Sequence, residues 1–229
     1  MKKKNTSSAN NFIARMRKNK VAVYILVFLI AGGLIVSSLI AVFANPSAPR
    51  QEEPWDYESQ IAQINDLVAQ YEESLKDSPE DVGLLTQLGN ANYNLGVLYS
   101  LTDESEKANE SFSKAMEAYG KALESEPENV NLHVDRAVAA YYAGETEVAE
   151  TEFQQAVELD PEHAQARYQY GVFLYYGANK PDEALAQWEA VIALENEENT
   201  ELVEAARAWV SAVKAELEKS EQEDANEEN

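Results

Sequence analysis

The chain has two histidines, His133 and His163, and no cysteine. Thirty positions separate the two imidazoles, and neither belongs to a His-x-x-x-His or Glu-x-x-His array on one helix. A zinc ion needs three or four such ligands converging, so the spacing predicts no metal site. Without Cys there is no disulfide, no thiolate nucleophile and no sulfur-ligated metal. No Gly-rich phosphate loop is present, and no Ser sits in the strand–turn–helix elbow of a hydrolase. The 41 Asp and Glu place some carboxylates close together by number alone, but no spacing selects a pair for acid–base work. The residues therefore predict no catalytic group, no cofactor and no enzyme activity. Whatever this chain does rests on the surfaces its elements build.

Charge separates those elements. Residues 1–44 hold seven bases (Lys2, Lys3, Lys4, Arg15, Arg17, Lys18 and Lys20) and no acid. Residues 45–229 hold all 41 acids and the other 11 bases, a net charge of −30. So acidic a region repels phosphate backbones, which argues against nucleic acid as a partner.

Residues 21–44, VAVYILVFLIAGGLIVSSLIAVFA, carry no charge over 24 positions. As a helix this stretch is ~36 Å long, enough to cross a ~30 Å hydrocarbon core with some tilt. Gly32 and Gly33 interrupt it, which membrane helices tolerate. Seven bases precede the stretch and only Arg50 closely follows. The positive-inside rule then puts residues 1–20 in the cytoplasm and the rest outside. A cleaved signal peptide is the rival reading, because Val42-Phe43-Ala44 has small residues, Val42 and Ala44, where a signal peptidase needs them. Signal peptides have apolar cores of ~7–15 residues, and the greater length here favours an uncleaved anchor.

Residues 45–56 begin with three prolines in ten positions and are expected to be an extended linker. From 57 to 219 the pattern is helical, with no strand-like alternation. Prolines close short acidic stretches at Pro79, Pro127 and Pro161. The last two are 34 residues apart, and the first two are 48 apart, 14 more than that period. A 34-residue period of paired helices is a repeat-protein pattern. Within it, a small residue, an aromatic and another small or branched residue recur: Ala115, Tyr119, Ala122; Ala149, Phe153, Ala156; Ala184, Trp188, Val191. A partial copy reads Leu67, Tyr71, Ser74, Pro79. Leu88-Gly89, Arg136-Ala137 and Tyr170-Gly171 recur one helix earlier.

This pattern resembles the tetratricopeptide repeat (TPR) family across roughly residues 60–215. The resemblance implies an all-α fold, a right-handed superhelical stack of antiparallel helix pairs (a TPR solenoid) beyond the transmembrane helix. The divisions expected are a half repeat at 57–79, repeats at about 80–129, 130–163 and 164–198, a capping helix at 200–219 and a disordered acidic tail at 220–229. Tyr71, Tyr119, Phe153 and Trp188 are expected in the core. The 14 extra residues, split evenly, lengthen both helices of the first pair by two turns, to about 80–101 and 104–125. Leu95-Gly96, seven residues after Leu88-Gly89, supports this, as does an Asp103-x-x-Glu106 cap. A disordered loop at 97–110 is the rival reading. His133 and Arg136 stand where the family has large apolar residues, which predicts loose packing of that helix.

The family's groove-facing positions fall here on Asn90, Tyr93, Asn94, Val138, Tyr142, Tyr168, Val172 and Tyr176. Of the adjacent pairs, Tyr141 and Tyr175 are expected to point inward. Tyr brings a flat apolar face and a hydroxyl, and Asn pairs with peptide groups, so such a groove suits a peptide. Relatives that bind C-terminal carboxylates use basic groove residues. Here only Arg136 and Arg167 lie on first helices, so a neutral or basic protein partner is expected instead. The resemblance thus implies a membrane-anchored scaffold or adaptor for protein–protein interaction on the extracytoplasmic side, acting in assembly or quality control of envelope proteins. A structural, self-associating homo-oligomer and a secreted soluble protein after cleavage are the alternatives.

Overall fold

The computed structural model describes residues 56–196 and 199–227. The hydrophobic stretch at 21–44 lies outside the described residues, as does most of the linker. No helix of the described residues is long and apolar enough to cross a membrane. The chain divides into two compact units, Met1–Gln63 and Ile64–Asn229. Of the first, only residues 56–63 are described, and they open the first helix.

The described residues form eight helices and no strand: α1 (Tyr57–Asp77), α2 (Val82–Leu101), α3 (Ser105–Ser125), α4 (Val130–Ala143), α5 (Thr146–Leu159), α6 (Ala164–Tyr176), α7 (Pro181–Ala193) and α8 (Thr200–Glu227). From α2 onward each helix packs on its neighbours in the chain, and α4 also touches α6. The pairs α2/α3, α4/α5 and α6/α7 are thus repeated units, with α8 after the last.

Local chemistry sets the boundaries. Each first helix of a pair begins on a side-chain cap. Asp81 accepts from the Leu84 amide at 2.9 Å, Asn129 from Leu132 at 3.2 Å, and His163 Nδ1 from Ala166 at 3.1 Å. Such a bond satisfies one of the amides that a helix start leaves without a partner. The α4 helix stops at Gly144, whose φ of 89° is the left-handed conformation that glycine adopts without strain.

The recurring small–aromatic–small residues are the core. Ala115, Ala122, Ala149, Ala156, Ala184, Trp188 and Val191 are fully buried, and Tyr119 and Phe153 nearly so. Two of the aromatics, Tyr119 and Trp188, lie on a glycine across the pair. A Cβ added at Gly89 would fall 2.5 Å from the Tyr119 ring, and one at Gly171 would fall 2.5 Å from Trp188. Helices approach closely only where such a residue leaves room.

The first pair carries this contact twice. Gly96 faces Phe112 as Gly89 faces Tyr119, with the same clearance to within 0.1 Å. The glycines are seven residues apart, and so are the rings. This is the two-turn lengthening: α2 and α3 have 20 and 21 residues, and α4 and α5 have 14 each. Residues 97–101 and 105–110 are helical, with a three-residue link between them.

Four expectations need correction. Asp103 does not cap α3; it takes φ 63° in the link, and α3 starts after Glu104 without a side-chain cap. Tyr71 is half-buried rather than core, because α1 contributes no fully buried residue. Of α1, Leu75 packs against the cluster of Leu85, Tyr119, Leu123 and Leu132, while Leu67 stays 41% exposed. The tail expected to be disordered from 220 is helical to Glu227. Its Glu, Gln and Ala are good helix formers, so the preceding turns propagate through it. The second pair does not pack loosely, for a reason given below.

Candidate functional site

Helix α4 carries two polar clusters on different sides. Toward α5, His133 Nδ1 lies 2.6 Å from Glu152 Oε2, and Arg136 donates to Glu152 Oε1 at 2.6 Å. His133 Nε2 lies 2.9 Å from the Pro127 carbonyl. His133 and Glu152 are each 8% exposed. A carboxylate held by two donors compensates for its own burial. This network stands in place of the large apolar residues that the resemblance implies at 133 and 136. Glu152, one helix later, is the residue that makes the helix pack tightly. One donor is left over, Arg136 Nε, which makes no hydrogen bond.

Toward α2 and α3 the polar groups are not closed. Asp135 is half-buried and makes no hydrogen bond or ion pair among the described residues. Desolvation pushes its carboxyl up to about 6. Its charge is felt by Tyr93 and Tyr119, whose hydroxyls burial and then Asp135 both push up. Tyr119 donates to Asn90 Oδ1 at 2.7 Å. The buried hydroxyls of Tyr93 and Tyr142 have no hydrogen-bond partner. Burial, and then Tyr93, push Tyr142 well up. Beneath these groups the rings of Tyr93, Phe112 and Tyr142 pack with centroids 5.1 to 6.2 Å apart. Asn90 and Asn94, one turn apart on α2, are exposed beside them.

The eight expected groove residues thus separate. Asn90 and Asn94 are exposed, and Tyr93 and Tyr142 are half-buried with hydroxyls lacking partners. Val138 is buried at 7% exposure. Tyr168 and Val172 are core residues, at 2% and 1%. Tyr176 is half-buried, with its ring edge-on to Trp209 at 5.6 Å. For Tyr168 and Tyr176 the reason is α8. Trp209 stacks on Trp188 at 5.4 Å and donates to the Tyr168 hydroxyl at 3.1 Å, while Tyr175 donates to Glu216 at 2.5 Å. The capping helix covers the face of α6 that a ligand would need. Tyr141 and Tyr175 are not distinguished from their neighbours, since all four tyrosines of the two pairs are half-buried.

Asp135 was not anticipated as a site residue. A signal for it was present: Val138 and Tyr142 follow it by three and seven positions, so the three share one helical stripe. Among the described residues no three His, Asp or Glu side chains converge as metal ligands would.

An all-α stack of helix pairs, with a polar face between its first two pairs, is a helical-repeat protein. The repeats are of a known kind. The family model described as "Tetratricopeptide repeat" matches residues 134–175. A second, "Plant specific mitochondrial import receptor subunit TOM20", matches residues 57–141. Among solved structures, one described as "Crystal structure of MamA" is 18% identical with a TM-score of 0.50, covering 73% of this chain and 96% of that one. The Sgt2 TPR domain from Aspergillus fumigatus is 21% identical, with a TM-score of 0.44 and coverages of 58% and 82%. The first TPR of Spaghetti (RPAP3), solved with an HSP90 peptide, is 24% identical, with a TM-score of 0.39 and coverages of 56% and 95%. No curated protein matches the chain. Residues 134–175 are thus similar to a tetratricopeptide repeat, and the stack as a whole shares the fold of such proteins.

Proposed function

We propose that this protein is a membrane-anchored scaffold that captures a segment of another protein on the face formed by α2 and α4. One observation carries the reading: Asn90 and Asn94 stand exposed one turn apart on α2, beside the half-buried rings of Tyr93 and Tyr142. Asn side chains bond the peptide groups of a docked segment, and the tyrosine rings offer it a flat apolar surface. The role is that of an adaptor, without catalysis.

The anchor is residues 21–44, supported by their uncharged length and the seven bases before them. The repeats then stand on the extracytoplasmic side, where envelope proteins are assembled and checked. Asn94→Arg places a bulky cation on the exposed edge without touching the core. It is expected to remove partners captured by crosslinking in intact cells, and an unchanged partner set contradicts the reading. Externally added protease should digest the repeats in spheroplasts. A mature N-terminus at Asn45 would exclude the anchor.

A further inference from the structure

Helix α1 contributes no fully buried residue, yet its sequence carries a regular apolar seam. Tyr57, Ile61, Ile64, Val68, Tyr71 and Leu75 follow one another at intervals of four, three, four, three and four. That is a heptad, with Ile61, Val68 and Leu75 at the a positions and Tyr57, Ile64 and Tyr71 at the d positions. A straight helix drifts relative to a strict seven-residue repeat, so such a repeat keeps one seam turned toward a second helix winding around it. The last member, Leu75, packs against Leu85, Tyr119, Leu123 and Leu132 of the stack. The five before it are half-buried. Leu67, at the g position beside the seam, is 41% exposed, a large apolar side chain that a helix laid on the seam would cover.

We propose that α1 pairs with α1 of a second copy of this chain, parallel and in register, from Tyr57 to Tyr71. The β-branched Ile61 and Val68 at a suit two parallel strands. In that arrangement the g residues Gln60 and Leu67 lie opposite Asn65 and Glu72, the e residues of the other copy. No acid then meets an acid across the seam, in a region whose net charge is −30. These flanks let two copies of an acidic chain approach, and they offer little charge by which a foreign helix would be chosen. Twelve residues separate Ala44 from Tyr57. Two copies anchored in one membrane therefore present the same end of α1 to each other, at a raised effective concentration. The inference goes beyond the capture reading and takes only this tethering from the anchor.

The chain has no cysteine, so single-cysteine variants of the full-length protein each report on one position. Ile61→Cys, Ile64→Cys and Val68→Cys lie on the seam, and Ser59→Cys and Asp66→Cys lie at the f positions on the far side of the helix. Cells expressing each variant are fractionated, treated with copper phenanthroline, and run on a gel without reductant. In a parallel pair in register, identical seam positions come within disulfide reach and identical f positions do not. The expected result is a band at twice the mass of the chain, at least about fivefold stronger for each seam variant than for either f variant. Equal bands at all five positions, or no band at any, overturn the inference. A strong band at one seam position alone marks an antiparallel crossing and overturns it too, as does a seam adduct at another mass, which marks a different protein on α1. The anchor is read separately, from the fraction that holds the chain. The seam pattern found in the soluble fraction would uphold the pairing and remove the anchor.

Discussion

Asp135 and Arg136 are neighbours in sequence, about 100° apart around one helix, and their fates differ. Arg136 reaches Glu152, which also holds His133, and all three are tied into the α4–α5 contact. Asp135 is half-buried, and desolvation raises its carboxyl with no cation offsetting it. Polar residues in a repeat interior thus have two physical outcomes. Where a counter-charge is present, as Glu152 is for Arg136, burial fixes the packing of the pair. Where it is absent, the protein carries the cost of desolvation.

The closed side breaks hardest. Glu152→Ala leaves His133 and Arg136 facing an empty site, and removing one partner of a buried pair costs about 3–5 kcal/mol. A urea unfolding curve should show the loss; a change below about 1 kcal/mol would mean that the network is not closed. Next comes the ring-on-glycine contact. Gly96→Ala puts a Cβ 2.6 Å from the Phe112 ring, and overpacking of that kind costs about 1–3 kcal/mol. The added turns of the first pair should loosen without loss of the second, which hydrogen exchange resolves by helix. The smallest effects compare two hydroxyls at the open side. Tyr119→Phe removes the bond to Asn90 and should cost about 0.5–1.5 kcal/mol. Tyr93→Phe removes a buried hydroxyl with no partner, so it should be neutral or stabilising by up to about 1 kcal/mol. Equal destabilisation by both would remove the distinction.

Much of this fold could be read from residue order, because repeats write one packing rule several times. Ala115–Tyr119–Ala122 and its copies marked the core, and Gly89 with Gly96 marked the long hairpin. The misplaced features depend on contacts between distant residues. Nothing near His133 announces that Glu152, nineteen positions on, will meet it. Tyr168 and Val172 read as groove because their stripe matches Val138 and Tyr142, yet both are core residues, and Trp209 of α8 bonds the Tyr168 hydroxyl. Asn90 and Asn94 were recoverable because no later helix lies over them.

The most direct test of the contrast between Asp135 and Arg136 is the stability of Asp135→Asn against the parent chain as a function of pH. Desolvation raises the folded-state carboxyl from 3.8 to about 6. A group raised in this way contributes stability below about pH 4, and that contribution is lost as pH rises through about 6. The parent chain should therefore match or exceed the Asn variant below pH 4 and fall behind it between pH 4 and 6. At pH 7 the Asn variant should be more stable by on the order of 1–3 kcal/mol, the upper end reduced by the solvent that reaches a half-buried side chain. A parent chain more stable than Asp135→Asn at pH 7 would show that the carboxylate already has its partner within the fold, and would contradict the contrast drawn with Arg136.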